Sequence, residues 1–300
     1  MVHELLHVVG EALTHSVSDS LQMVPILFAV YLLMEFLEGR MGRVHRAAGT
    51  FRRFGPLIGA AVGCLPQCGF SAAAASLYGK GLITGGTLIA VFLSTSDEAI
   101  PVMLAGSAGW QQIAALLAAK VVIATAAGYL LQATVFRSEE AAADSGAHSH
   151  HHEHKGCGSS CCAKERFSSP ILNLIWRAAV RTVQVALFVM LTVTAIEIAL
   201  HLIGEDQLGK ILLTGSPLQP LLTAAIGLIP GCAVSIILTE LYIGGSLSFG
   251  AAVAGLATGA GVGYLVLVRE CKDRRRVLRI IGLTYLCSAV PGLLLGLIGR

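Results

Sequence analysis

From Gly55 to Ala105 the chain meets only three charged residues, Lys80, Asp97 and Glu98, and from Leu218 to Val268 only one, Glu240. Runs this apolar cannot end in water. A hydrocarbon core of roughly 30 Å takes about 20 apolar residues in a helix, and both runs are long enough to cross more than once. Inside lipid every backbone amide needs a partner within the protein, which leaves helices or closed barrels. Nothing here alternates as barrel strands do. Composition agrees: 55% of the 300 residues are hydrophobic and 13% charged, against about 25% charged in soluble domains. The expected class is an all-α polytopic membrane protein. A net charge of +3 with no basic face argues against nucleic acid as a partner and leaves the lipid bilayer as the main one.

The chain divides by composition. Residues 1–18 carry His and Glu among apolar residues at helical spacing and lack a cleavable leader pattern, so an interfacial amphipathic helix is expected. Residues 19–136 form a first transmembrane repeat. Residues 137–170 are polar and rich in His and Cys, a linker that cannot bury a core. Residues 171–300 form a second repeat.

The two repeats align without a gap around "GCLPQCGFSAAAASLYGKG" (Gly63–Gly81) and "GLIPGCAVSIILTELYIGG" (Gly227–Gly245). Pairing Pro56 with Pro220 also pairs Gly63/Gly227, Pro66/Pro230, Cys68/Cys232, Ser71/Ser235, Tyr78/Tyr242, Gly81/Gly245 and Gly86/Gly250. A second alignment, shifted by two residues in the preceding loop, pairs Gln22 with Gln184 and Glu35 with Glu197. Loop charge then relates the halves. Lys and Arg mark cytoplasmic loops. In the first half the early loop, Arg40 to Arg53, is basic and the late loop, "GSAGWQQ", is uncharged; in the second half the late loop, Arg269 to Arg279, is the basic one. Corresponding loops therefore face opposite sides, as an inverted-topology repeat requires. The region between them must cross an odd number of times, as one span plus a re-entrant hairpin or as three short spans. The count is about 8–10 membrane segments, with the linker cytoplasmic.

Inverted repeats with broken helices are a transporter signature, because freed carbonyls and half-helix ends meet near the midplane. "PQCG" and "PGC" are such breaks: Pro removes a donor and Gly relaxes the chain. Taken singly they are also ordinary kinks. At matched positions they point to one shared site. A further break, "FLSTSDEAIP", sets Ser94, Thr95, Ser96, Asp97 and Glu98 inside an apolar span. An intramembrane carboxylate costs ~2.5–3.5 kcal/mol on insertion scales, so two adjacent ones need a partner or a task; the alternative is a helix cap at the membrane surface. The second half has Thr258 and glycines there, so the site is asymmetric. Glu35, Glu197, Gln67 and Glu240 are further polar candidates within the apolar regions. Cys68 and Cys232 pair across the repeat, although intramembrane thiols are commonly just small hydrophobes. Thiols select soft ions and carboxylates harder ones, so the residues alone admit either.

The linker carries His148, His150, His151, His152, His154, Cys157, Cys161 and Cys162. Imidazole and thiolate at flexible spacing suit loose capture of Zn²⁺ or Ni²⁺ rather than a fixed zinc knuckle. No tightly bound cofactor is expected.

"PQCGFSAAAASLY" followed by "GTLIAVFLSTSDEAIPVML" resembles the ten-transmembrane heavy-metal exporter family, whose members are labelled arsenic efflux proteins or manganese transporters. The resemblance implies an inner-membrane permease of about ten helices, with its motif on Pro66, Gln67, Cys68, Ser71 and Ser94 to Glu98. No nucleotide-binding motif makes the chain a pump. The expectation is a secondary transporter that exports a metal ion, manganese first among divalent ions, by alternating access. Asp97 and Glu98 would bind the cation or exchange protons, Gln67, Cys68, Cys232, Ser71, Ser235 and the hydroxyls would complete the site, and Glu35 and Glu197 would line the path. An arsenite or organoarsenical permease, leaning on the thiols, is the alternative. A membrane sensor that reads metal through the linker is the rival from another class. An intramembrane enzyme is disfavoured because no His lies near Cys68 in the apolar segments to act as base.

Overall fold

A computed structural model describes residues 24, 25, 28, 29, 31, 32, 54–65, 69–95, 99–105, 109–137, 170–203, 218–271 and 273–298. Within them the first half supplies α1 (Phe54–Gly63), α2 (Gly69–Gly79), α3 (Gly85–Ser94), α4 (Ala99–Ala105) and α5 (Trp110–Thr134). The second half supplies α6 (Pro170–Ile203), α7 (Gln219–Gly227), α8 (Cys232–Ile243), α9 (Phe249–Thr258), α10 (Val262–Glu270) and α11 (Arg274–Ile298). The described secondary structure is helical throughout.

Among the described residues, four stretches are long and apolar enough to cross a membrane: Gly85–Leu104, Trp110–Thr134, Phe249–Glu270 and Arg274–Leu297. Of these four, each half supplies one continuous stretch, α5 or α11, and one interrupted stretch, α3 with α4 or α9 with α10. The protein is polytopic.

The interrupted crossings sit at the centre. Every residue of α3 is buried, and so is every residue of α9 except Phe249, which is partly exposed. A helix apolar all round belongs in a core. Continuous helices α5 and α11 lie outside and present Val122, Leu130, Leu286, Val290, Leu294 and Leu297 outward. Apolar side chains gain nothing by leaving lipid for protein, so this core depends on close backbone approach through small residues. A Cβ on Gly86 would lie 2.6 Å from the Gly128 carbonyl oxygen and 2.8 Å from Gln132 Cβ. In the second half Gly250 faces Gly292 and Gly296 in the same way. These are the same contacts at the offset that pairs Pro56 with Pro220.

The match extends further. Thr84 caps α3 by accepting from Thr87 N, and Ser248 caps α9 by accepting from Ala251 N. Gly81 and Gly245 end the preceding helices with φ of 73° and 74°, a left-handed turn that suits glycine. Gly63 packs on the Val91 carbonyl, and Gly227 on that of Gly255. Across the halves, α2 packs on α10 while α8 packs on α4; α11 touches α3 while α5 touches α9. Gly55 faces Thr87 and Gly63 faces Ser94, so α1 and α3 run parallel; Gly86 faces Gln132 and Gly128 faces Ala90, so α3 and α5 run antiparallel.

Two sequence expectations change. The last span begins at Arg274 rather than near Ile280: Arg274, Arg275, Arg276 and Arg279 form the exposed first turns of α11, where Asp273 Oδ1 accepts from Arg275 N at 3.0 Å. Arg269 remains on α10, its guanidinium 5.0 Å above the Phe188 ring while Nη1 donates to the Gln184 carbonyl. Glu240, a polar candidate within an apolar run, is exposed on α8 instead of facing the centre. Of its neighbours, Thr239 takes the buried position and bonds the Ser235 carbonyl at 2.7 Å.

Candidate functional site

Helix α3 stops inside the protein because its last residues offer hydroxyls that bond their own preceding turn. Ser94 Oγ and Thr95 Oγ1 both donate to the Val91 carbonyl, at 3.0 and 2.7 Å. Such back-bonding competes with helix propagation. Thr95 has left the helical region, with φ −54° and ψ 131°, and its carbonyl points away from the ladder. The second half repeats the device. Thr258, the counterpart of Ser94, donates to the Ala254 carbonyl at 2.7 Å. Gly259 then ends the helix, and the chain resumes as α10 after Gly261 at φ 49°.

The two ends meet at one side chain. Lys120 lies midway along α5 and is 0% exposed. Its Nζ donates to the carbonyl of Thr95, at the end of α3, and to that of Leu256, in the last turn of α9, at 2.9 Å. Helix C-termini carry partial negative charge and unpaired carbonyls. An ammonium answers both, and an intramembrane lysine requires such partners because its insertion alone costs ~2.5–3.5 kcal/mol. Cys64, half-buried just past the end of α1, lies within electrostatic reach of Lys120.

Hydroxyls surround this junction. Thr258 and Ser288 Oγ are 2.6 Å apart, and Ser288 also donates to the Tyr285 carbonyl. Tyr264 on α10 reaches back to the Thr258 carbonyl at 2.8 Å and meets Phe92 of α3 edge-on, with ring centroids 5.2 Å apart. Close packing of α10 on α2 is set by Gly263, where a Cβ would stand 2.8 Å from Phe92 and 2.9 Å from Ser71 Cβ.

Of the residues singled out in the sequence, Ser94 and Thr95 come together with Lys120 and the second half's broken helix. Ser71 is buried where α2 meets α10. Ser235 is partly buried on α8, the helix that packs on α4. Glu197 lies on α6 and Cys232 at the start of α8, with side chains outside the described residues. Glu35, Gln67, Cys68, Ser96, Asp97, Glu98 and the linker ligands His148, His150, His151, His152, His154, Cys157, Cys161 and Cys162 lie outside the described residues. Among the described residues no three His, Cys, Asp or Glu side chains are placed to hold a metal ion. Lys120 is the residue that reading by hydropathy passes over. Its signal was available: it is the one charged residue between Trp110 and Thr134.

A family model described as "Putative, 10TM heavy-metal exporter" matches residues 9–181 and 173–300. The chain belongs to this exporter family. The family is one of transporters rather than enzymes. No curated protein and no solved structure matches the chain.

Proposed function

We propose that the chain is a secondary transporter that exports a heavy metal or metalloid by alternating access between two inverted repeats. Support for the repeats comes from the matched contacts of Gly86 and Gly250, the matched caps Thr84 and Ser248, and the reversed loop charges. Support for a hairpin at the first break comes from chain direction. Helices α1 and α3 run parallel, and only residues 80–84 separate α2 from α3. Five residues reach about 17 Å at most, too little to bring an unturned α1–α2 crossing back to its start, so α2 folds back on α1.

The substrate that fits best is a neutral trivalent arsenical, arsenite or an organoarsenical. The observation that carries this is Lys120: a buried cation already sits on the two carbonyls that a transported cation would use. Among the described residues near it are the hydroxyls of Ser94, Thr95, Thr258 and Ser288 and the thiol of Cys64. Soft trivalent arsenic favours thiols, and an uncharged solute needs no counter-ion in a low-dielectric site. Cys68, four residues beyond Cys64 in sequence, and Gln67 would add to this set, with Cys232 and Ser235 from the other half. Asp97 and Glu98 would carry the coupling protons, Glu35 and Glu197 would line the path, and the linker would capture metal on the cytoplasmic side.

A divalent cation such as Mn²⁺ is the second reading. Asp97 and Glu98 favour it, since only Ser96 separates them from Thr95 in sequence and they would bring carboxylates to the junction. The discriminating experiment expresses the chain in a metal-sensitive host and challenges it with arsenite, a trivalent organoarsenical, Mn²⁺, Zn²⁺, Ni²⁺ and Co²⁺. Relief of the arsenicals alone is expected; relief of Mn²⁺ alone would reverse the order of the two readings.

A further inference from the structure

We propose that the Lys120 ammonium is a tethered coupling cation: it occupies the place between the two broken helices where an ion-coupled transporter would bind free Na⁺ or another small cation. In broken-helix transporters, freed carbonyls and half-helix C-terminal ends are the groups that coordinate such ions. Here those groups are the carbonyls of Thr95 and Leu256, one from each half, and a side chain of α5 fills both. The charge is covalently supplied, so it cannot exchange with the medium. Transport by the native chain is then indifferent to sodium and potassium, and the two helix ends are held together whether or not an ion is present.

This placement is specific to the first half. At the repeat offset Lys120 corresponds to Thr284 on α11, which bonds its own helix at the Ile280 carbonyl, 2.9 Å away. One cation therefore serves both breaks. Two repeats converging on one tethered cation explains why the described part of the junction is asymmetric although the flanking glycine contacts and caps are matched.

The inference rests on the transporter reading for its flux arm only. Replacing Lys120 by Ala vacates the cation place and leaves both carbonyls. Purified Lys120→Ala protein in detergent is heated in N-methyl-D-glucamine chloride and in NaCl of equal ionic strength. Sodium, or methylammonium as a free copy of the lost group, should raise the variant's Tm by about 3 °C or more through binding to the folded state, with the native protein moving by less than about 1 °C. In proteoliposomes the variant's arsenite flux should fall about tenfold or more without sodium and return to within about twofold of native when sodium or methylammonium is added. Lys120→Met, which keeps the aliphatic stem, covers poor folding of Lys120→Ala. Folding of either variant in sodium but not in N-methyl-D-glucamine supports the proposal. Native flux by a variant in sodium-free buffer, a folded variant that responds to no small cation, or failure of both variants to fold in either buffer overturns it. If the native protein moves neither metal nor metalloid, the proposed function fails while the thermal arm still decides the role of Lys120.

Discussion

Lys120 Nζ donates to the Leu256 carbonyl at 2.9 Å, and so joins a continuous helix of the first half to the interrupted helix of the second. The same nitrogen donates to Thr95, where the first half's own central helix ends. Two helix ends with negative partial charge would repel each other in a medium of low dielectric. A buried ammonium between them turns that repulsion into the contact that centres the bundle.

The glycine seams between central and outer helices should be intolerant of a single methyl group. In Gly250→Ala the new Cβ meets the backbone of Gly292 and Gly296, which cannot rotate aside. A loss of about 1–3 kcal/mol or more is expected, seen as a lowered Tm in detergent. Gly86→Ala should behave likewise, with Gly128 and Gln132 as the obstacles. Gly282→Ala on α11 meets nothing within 4 Å and should leave the protein within about 1 kcal/mol of native, on the stabilising side.

Tyr264→Phe keeps the ring against Phe92 but removes the hydroxyl that holds the Thr258 carbonyl. Thr258→Val removes the partner of Ser288. Hydrogen bonds within membrane bundles average about 0.6 kcal/mol and reach about 1.7, so each variant should fold, with a Tm only a few degrees lower. Because both bonds sit where α9 ends, flux should fall more than stability does. Equal, small losses in both would reduce the junction to a packing contact.

The carboxylates that follow Thr95 are tested by neutral, near-isosteric replacements. The Asp97→Asn, Glu98→Gln double variant should lose most proton-coupled efflux in vesicles while still reaching the membrane, as an intramembrane acid pair with a task requires. Native transport by this variant would return the pair to the role of a helix cap.

Deleting His148 to Cys162 separates transport from sensing. A transporter with a loose capturing loop should keep its maximal flux and show a weaker apparent affinity at low substrate, since the loop only raises local concentration. A sensor would lose its whole response.

Much of the core was legible because the repeat is written in residues with few substitutes. Pro56/Pro220, Gly86/Gly250 and Gly81/Gly245 pair in sequence, and the last two occupy matched close contacts and matched left-handed turns. Thr258 and the glycines after it stand in sequence where the first half has its "FLSTSDEAIP" break, and Thr258 ends α9 as Ser94 ends α3. Lys120 was not legible from hydropathy, because one lysine barely lowers the average of a 25-residue helix. Its importance lies in what α5 packs against, a non-local fact. The same holds for Gly128 and Gly292: glycine is common in membrane helices, and only the seam shows which ones let backbones touch. Glu240 misled in the opposite sense. A carboxylate in an apolar run reads as central, but helix periodicity turns it outward while Thr239 turns in.

Export of a neutral metalloid through the Lys120 junction can be measured as flux in proteoliposomes holding the purified native chain, with arsenic and manganese counted by mass spectrometry under an imposed proton gradient. Arsenite or a trivalent organoarsenical should move at a saturable rate that is unaffected by replacing sodium with N-methyl-D-glucamine, with Mn²⁺ flux at the level of empty vesicles. Saturable Mn²⁺ flux without arsenical flux would contradict it.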